Sequence, residues 1–147
     1  MTKNHRVKMN TKIYKHVHAL AKDLLQASVR KNQANFDEYY RELQQVCEDN
    51  EDTDKDHPVQ WETLADFTDD LSLAITIYEK ALVKAQAINS KDFLSSIAFA
   101  IASLQVELGD KESAINHLES AKINSNKIAD KDLKAEIDDL LTALKNT

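Results

Sequence analysis

Apolar residues recur every three or four positions along most of the chain, and they nowhere alternate strictly with polar residues over the length of a strand. This spacing predicts seven helices. The first runs from Thr11 to Val29, with Ile13, Val17, Leu20, Leu24 and Ala27 as its apolar stripe. The second is expected from Phe36 to Asp49, where Asn35 and Glu38 have capping-box spacing. Phe36, Tyr39, Leu43, Val46 and Cys47 are its expected core face. These two form an N-terminal hairpin over residues 11–49. The acidic run from Asp49 to Asp56 then marks a linker over residues 50–57.

Pro58 suits the first turn of a third helix, where a missing N–H is harmless, and Trp61, Leu64 and Phe67 follow on it. Asp69 or Asp70 caps a fourth helix that ends near Ile88. Ser90 caps a fifth, on which Phe93, Ile97, Ile101, Leu104 and Leu108 form one stripe and Leu94, Ala98 and Ala102 a second. A helix apolar on two sides lies between neighbours. Gly109 suits its left-handed end, and Asp110 starts the sixth. Asp130 caps a seventh, 131–145, with Leu133, Ile137, Leu140 and Leu144 inward and Lys131, Lys134, Glu136 and Asp138 outward. An amphipathic last helix is what closes a helical stack.

Two segments forty residues apart read alike: Ala74-Ile75 with Tyr78-Glu79 and Ala81, and Ala114-Ile115 with Leu118-Glu119 and Ala121. Such a period signals stacked supersecondary units. The stretch from Ala74 through Ile75, Tyr78, Glu79, Lys80, Ala81 and Leu82 resembles the second helix of a tetratricopeptide repeat. Trp61 and Leu64, followed by Ala65, resemble its first helix. Ala98, Ile101 and Ala102 keep the small and aliphatic character in the later copy, and Gly109 stands at its turn. Ala98 to Ala114 spans sixteen positions, but Trp61 to Ala74 only thirteen, so the earlier copy needs a shortened helix or a different turn. The resemblance covers residues 58–127. It implies an all-α fold of antiparallel hairpins stacked as a right-handed superhelix in a single domain.

Composition is consistent with that class. One Gly and one Pro in 147 residues leave little punctuation, and this length suits about one domain. The longest apolar run, Ile97 to Ala102, is too short to span a bilayer, so no membrane association is expected. The start, Met1-Thr-Lys-Asn-His-Arg6, lacks the apolar core of a signal peptide, and residues 1–10 are expected to be disordered. Cys47 is alone and reads as a small core hydrophobe, which suits a cytoplasmic location. Charge is segregated: residues 1–31 carry a net +7 and residues 32–147 a net −13. Nucleic-acid binding is disfavoured, because such domains are basic overall. A homo-oligomer in which the basic first helix meets an acidic surface is one consequence.

Chemical motifs are sparse. Asp52, Asp54 and Asp56 copy the first ligands of a calcium loop, but His57 stands where its glycine belongs and Thr63 where its bidentate Glu belongs. His16 and His18 point to nearly opposite sides of a helix. His18, Leu20 and Lys22 only faintly resemble a phosphotransfer helix, with the Lys displaced and the glycine absent. His117 reads as a rim residue. No phosphate loop, paired-His zinc motif or nucleophile elbow occurs, so no catalytic residue, metal or cofactor is assigned.

In the tetratricopeptide family partners often lie in the groove lined by first helices. By resemblance this puts Glu62 and Asp66 of the earlier copy, and Ser96, Phe99, Ser103 and Val106 of the later one, at a partner-binding surface. Acids there imply a protein partner with a basic surface and an apolar anchor near Phe99. The expected function is non-catalytic binding of a dedicated protein. Alternatives are an immunity protein neutralising a bacterial toxin, or a small secretion-type chaperone. A histidine phosphotransfer protein is disfavoured.

Overall fold

Helix starts are set by side chains that accept a backbone N–H three residues on. Asn10, Asn32, Asp70, Ser90, Asp110 and Asp130 do this for Ile13, Asn35, Leu73, Phe93, Ser113 and Leu133. In the computed structural model, which describes residues 10–147, these caps open six of seven α-helices. The helices are α1 (Thr11–Val29), α2 (Gln33–Asn50), α3 (Pro58–Asp66), α4 (Leu71–Ala87), α5 (Lys91–Glu107), α6 (Lys111–Ser125) and α7 (Lys131–Lys145). No strand occurs among the described residues, and no helix among them is long and apolar enough to cross a membrane. The expectation of disorder over residues 1–10 falls, apart from Asn10, outside the described residues.

Three helix ends close in the same way. Lys31, Asn89 and Gly109 each have positive φ, at 56°, 50° and 80°. Each donates its N–H three residues back, and the following residue donates five back: Asn32 to Ala27, Ser90 to Ala85 and Asp110 to Gln105. Because that following residue is also the next helix's cap, the chain turns into the next helix at once. This joint explains why α2 begins earlier than the expected Phe36. Asn32, not Asn35, is its cap, and it sits directly after the left-handed Lys31.

The chain divides into two compact units, 1–77 and 78–147, with the division inside α4. In the first, α1 and α2 form an antiparallel hairpin, and His16 early on α1 meets Glu42 midway along α2 at 2.7 Å. Leu20, Leu24, Leu43 and Cys47 are buried, as are Trp61, Leu64 and Ala65 on α3. In the second, α5, α6 and α7 are successive antiparallel neighbours. Lys122 and Asp138 pair across α6 and α7, as do Glu119 and Lys145. The core there joins Ala98 and Ala102 of α5, Ala114, Leu118 and Ala121 of α6, and Ile137 and Leu141 of α7. Small alanines on facing helices let the backbones approach.

The forty-residue repetition has a structural counterpart. Ala74, Tyr78, Ala81 and Ala85 are buried on α4, and Ala114, Leu118, Ala121 and Ser125 are buried at the equivalent positions of α6. The thirteen-residue spacing also has its explanation. α3 is nine residues long where α5 is seventeen, and it stops at Asp66 with the backbone leaving helical geometry at Phe67.

Candidate partner-binding site

The linker between α2 and α3 is a folded loop. Asp56 is buried, and both of its carboxylate oxygens are engaged. Oδ1 accepts the Trp61 indole N–H at 2.8 Å, and Oδ2 accepts the Asp52 backbone N–H at 2.8 Å. His57 caps α3 through Nδ1, which accepts the Val59 N–H at 3.1 Å. Burial holds the His57 pKa below its ordinary 6.5, with the adjacent Asp56 carboxylate opposing that shift. The three aspartates of the calcium-like run therefore do not converge. Asp52 and Asp54 are exposed, and no cluster of three metal-ligating side chains occurs among the described residues.

The histidines are equally dispersed. His16 pairs with Glu42 in solvent, and His18 stacks on Tyr14 with ring centroids 6.2 Å apart. His117 Nδ1 lies 3.0 Å from Gln105 Oε1 and 3.1 Å from the Ser113 carbonyl oxygen. With two acceptors facing it, that nitrogen carries the proton, and the ring ties α6 to α5.

The six residues expected at a groove fall into two sets. Glu62, half-buried, and Asp66, exposed, stand on α3 in the first unit. Ser96, Phe99, Ser103 and Val106 stand on α5 in the second. The Ser96 and Ser103 hydroxyls bond back to the carbonyls of Phe93 and Phe99, at 3.4 and 2.9 Å. Phe99 is half-buried against the second unit's core, and Val106 is exposed.

A hollow surface of the required chemistry lies elsewhere in the first unit. Two adjoining cavities of about 220 and 230 Å³ share Gln33, Phe36 and Asp69 as lining. One reaches Ala27, Ser28 and Lys31 at the end of α1; the other extends over Tyr40, Phe67 and Leu73. Three aromatic rings line this groove. Phe36 stacks on Tyr40 with centroids 6.4 Å apart and meets Phe67 edge-on at the same distance. Tyr40 is pinned. The Thr68 hydroxyl donates to the Leu64 carbonyl at 2.8 Å, so Tyr40 Oη donates to Thr68 Oγ1 at 2.6 Å. Leu73, 50% exposed, adds an aliphatic edge. Asp37, Asp69 and Asp70 bring three carboxylates, with Lys31 the basic residue among the lining.

Each cavity is below the roughly 300 Å³ at which small-molecule sites begin, which suits single side chains of a peptide better than a whole ligand. The sequence pattern puts Phe36 on the expected core face of the second helix and Phe67 within the third helix. The shortened α3 turns Phe67 and the two following aspartates into a groove wall. The signal present in the sequence was an aromatic next to acid twice over, Phe36-Asp37 and Phe67-Thr68-Asp69-Asp70. No protein-family model matches the chain, and neither a curated protein nor a solved structure does.

Proposed function

We propose that this protein is a non-catalytic, tetratricopeptide-like binding module that takes a basic segment of a protein partner into the groove between α2 and the α3–α4 link. The observation that carries the reading is the coincidence of Phe36, Tyr40 and Phe67 with Asp37, Asp69 and Asp70 in one hollow. Aromatic faces attract Lys and Arg head groups while packing their stems, and nearby carboxylates strengthen the attraction and reject acidic competitors. The same chemistry serves an inhibitor of a basic toxin and a chaperone of a basic client. The captured partner's own activity separates the two.

The test is a pair of charge reversals compared in a quantitative pull-down from the source cells. Asp37→Lys with Asp69→Lys is expected to weaken the salt-sensitive partner at least tenfold while circular dichroism stays unchanged. Glu62→Lys with Asp66→Lys is expected to leave affinity within twofold. The reverse result would move the site to the exposed side of α3, where the family resemblance puts it.

A further inference from the structure

The two halves of the groove differ in charge. The cavity of about 220 Å³ at the end of α1 has Lys31 and Asp69 in its lining, which offset each other. The cavity of about 230 Å³ beside it has no basic residue and three acids, Asp37, Asp69 and Asp70. A cation is therefore favoured in the second cavity over the first. The three acids are not equivalent. Asp37 Oδ1 accepts the Gln33 side-chain amide N–H at 2.7 Å, and Asp70 Oδ1 caps α4 by accepting the Leu73 N–H at 2.9 Å. The carboxylate of Asp69 is exposed, and among the described residues it accepts no hydrogen bond and joins no ion pair. Both of its oxygens are open to an incoming donor.

The aromatic side of the second cavity is flat and fixed. Phe36 and Tyr40 stand one turn apart on α2 with ring planes 16° from parallel, and Phe67 meets Phe36 at 63°, so the rings form a floor and a wall. The bond from Tyr40 Oη to Thr68 holds the floor in place. All three rings are half-buried, which leaves part of each open to the groove. These features distinguish between the two basic side chains. A guanidinium is planar and weakly hydrated, stacks on aromatic faces, and carries its N–H donors in a fork that matches both oxygens of one carboxylate. An ammonium is a compact, strongly hydrated point charge, so it gains less from a flat floor and cannot use both oxygens of Asp69 in the same way.

We infer that the second cavity is an arginine site, in which a partner protein's arginine lays its guanidinium on the Phe36–Tyr40 floor and forks onto the Asp69 carboxylate. The inference rests on the groove reading of the proposed function. It adds which basic side chain is taken and which of the three acids takes it. Leu73, at the cavity's edge, packs the aliphatic stem of that side chain. Asp37 and Asp70, each already holding a donor of this chain, contribute charge and not the fork.

The test is a titration of the full, isotope-labelled chain with two blocked peptides, acetyl-Gly-Ala-Arg-Ala-Gly-amide and its lysine counterpart, followed by amide NMR shifts. The arginine peptide is expected to move the Phe36, Tyr40, Phe67 and Asp69 signals saturably, with a dissociation constant at least fivefold below that of the lysine peptide. Asp69→Asn and Asp70→Asn remove the same charge from adjacent positions, and asparagine keeps the α4 cap. Asp69→Asn is expected to weaken the arginine peptide at least fivefold and to bring the two peptides within twofold of each other. Asp70→Asn is expected to change neither by more than twofold. Phe36→Leu keeps an apolar side chain without the flat ring and is expected to lose most of the preference for arginine. Equal affinity for both peptides in the wild type overturns the inference, as does an equal response to Asp69→Asn and Asp70→Asn. So does free L-arginine binding as tightly as the peptide, which marks a small-molecule site. The inference also falls if neither peptide shifts these signals up to its solubility limit. If Asp37→Lys with Asp69→Lys still loses the cellular partner in any of these cases, the groove reading stands without the arginine site.

Discussion

α3 and α5 hold equivalent places in the repetition, yet they lead to different surfaces. α5 is seventeen residues long, starts on Ser90 and ends on the regular joint at Gly109. Its small and aliphatic residues enter a continuous core with α6 and α7, and its serine hydroxyls fold back on their own helix. α3 keeps the matching buried residues, Trp61, Leu64 and Ala65, but only nine positions are helical. Beyond Asp66 the chain becomes a link whose Phe67, Thr68, Asp69 and Asp70 line a groove with Phe36 and Tyr40. Where the repeat is regular most of its apolar side chains are absorbed by packing. Where it is cut short, aromatic and acidic groups are left together at the surface. The irregular copy is therefore the better place to look for binding.

The largest expected effect tests the regular copy. Leu118→Ala removes a fully buried side chain from the alanine-lined core of the second unit. Closely packed backbones collapse poorly around a void, so a loss of about 2–5 kcal/mol is expected in urea unfolding followed by circular dichroism. A loss under 1 kcal/mol would show that this core is loosely packed.

The irregular copy depends instead on polar pairing. Asp56→Ala removes the carboxylate that accepts the buried Trp61 indole N–H and the Asp52 N–H, and about 1–3 kcal/mol should be lost. Trp61 is the single tryptophan of the chain, so its fluorescence reports this change directly. Asp56→Asn keeps an acceptor for the indole and should recover part of the loss. If both variants unfold like the wild type, the loop does not brace α3.

The α2–α3 loop also predicts a pH dependence. His57 caps α3 in its neutral form, and burial depresses its folded-state pKa below the ordinary 6.5. The unfolded chain therefore takes up the proton first as pH falls. Stability from this group is fully present above pH 6.5 and is lost below it, until the folded pKa is passed. His57→Asn retains a cap without a titrating ring, so the wild type should lose stability relative to this variant from pH 7.5 to 5.5. A constant difference would show that His57 titrates alike in the folded and unfolded states.

Most helices were legible because their starts are written in single side chains. Ser90, Asp110 and Asp130 stand where expected, and α1 has the expected bounds. The start of α2 was not legible, because a lysine in the left-handed region gives no sign of itself in the sequence, whereas Gly109 does. The shortened α3 could be inferred from the thirteen-residue spacing, but the groove it opens could not. The periodicity assigns Phe36 to a core face and Phe67 to the third helix, and only three-dimensional proximity shows them meeting each other beside Asp37 and Asp69.

The smallest effects compare the two joints themselves. Gly109 sits at φ 80° with nothing within 4 Å of where a Cβ would stand. Gly109→Ala should therefore lose only the left-handed backbone preference, about 1 kcal/mol. Lys31 makes the same closing bonds at φ 56° and already carries that strain. Lys31→Gly should relieve it, but the added freedom of the unfolded chain offsets part of the gain, leaving about 0.5 kcal/mol of stabilisation. Because Lys31 is the basic residue lining the groove, the same change leaves its three aspartates unopposed. Lys31→Gly should thus raise both the unfolding midpoint and the affinity for a basic segment, two responses that a purely structural joint would not couple. A higher midpoint with unchanged affinity would confine Lys31 to the turn. A lower midpoint would mean that its side chain does more for the α1–α2 hairpin than its backbone strain takes away.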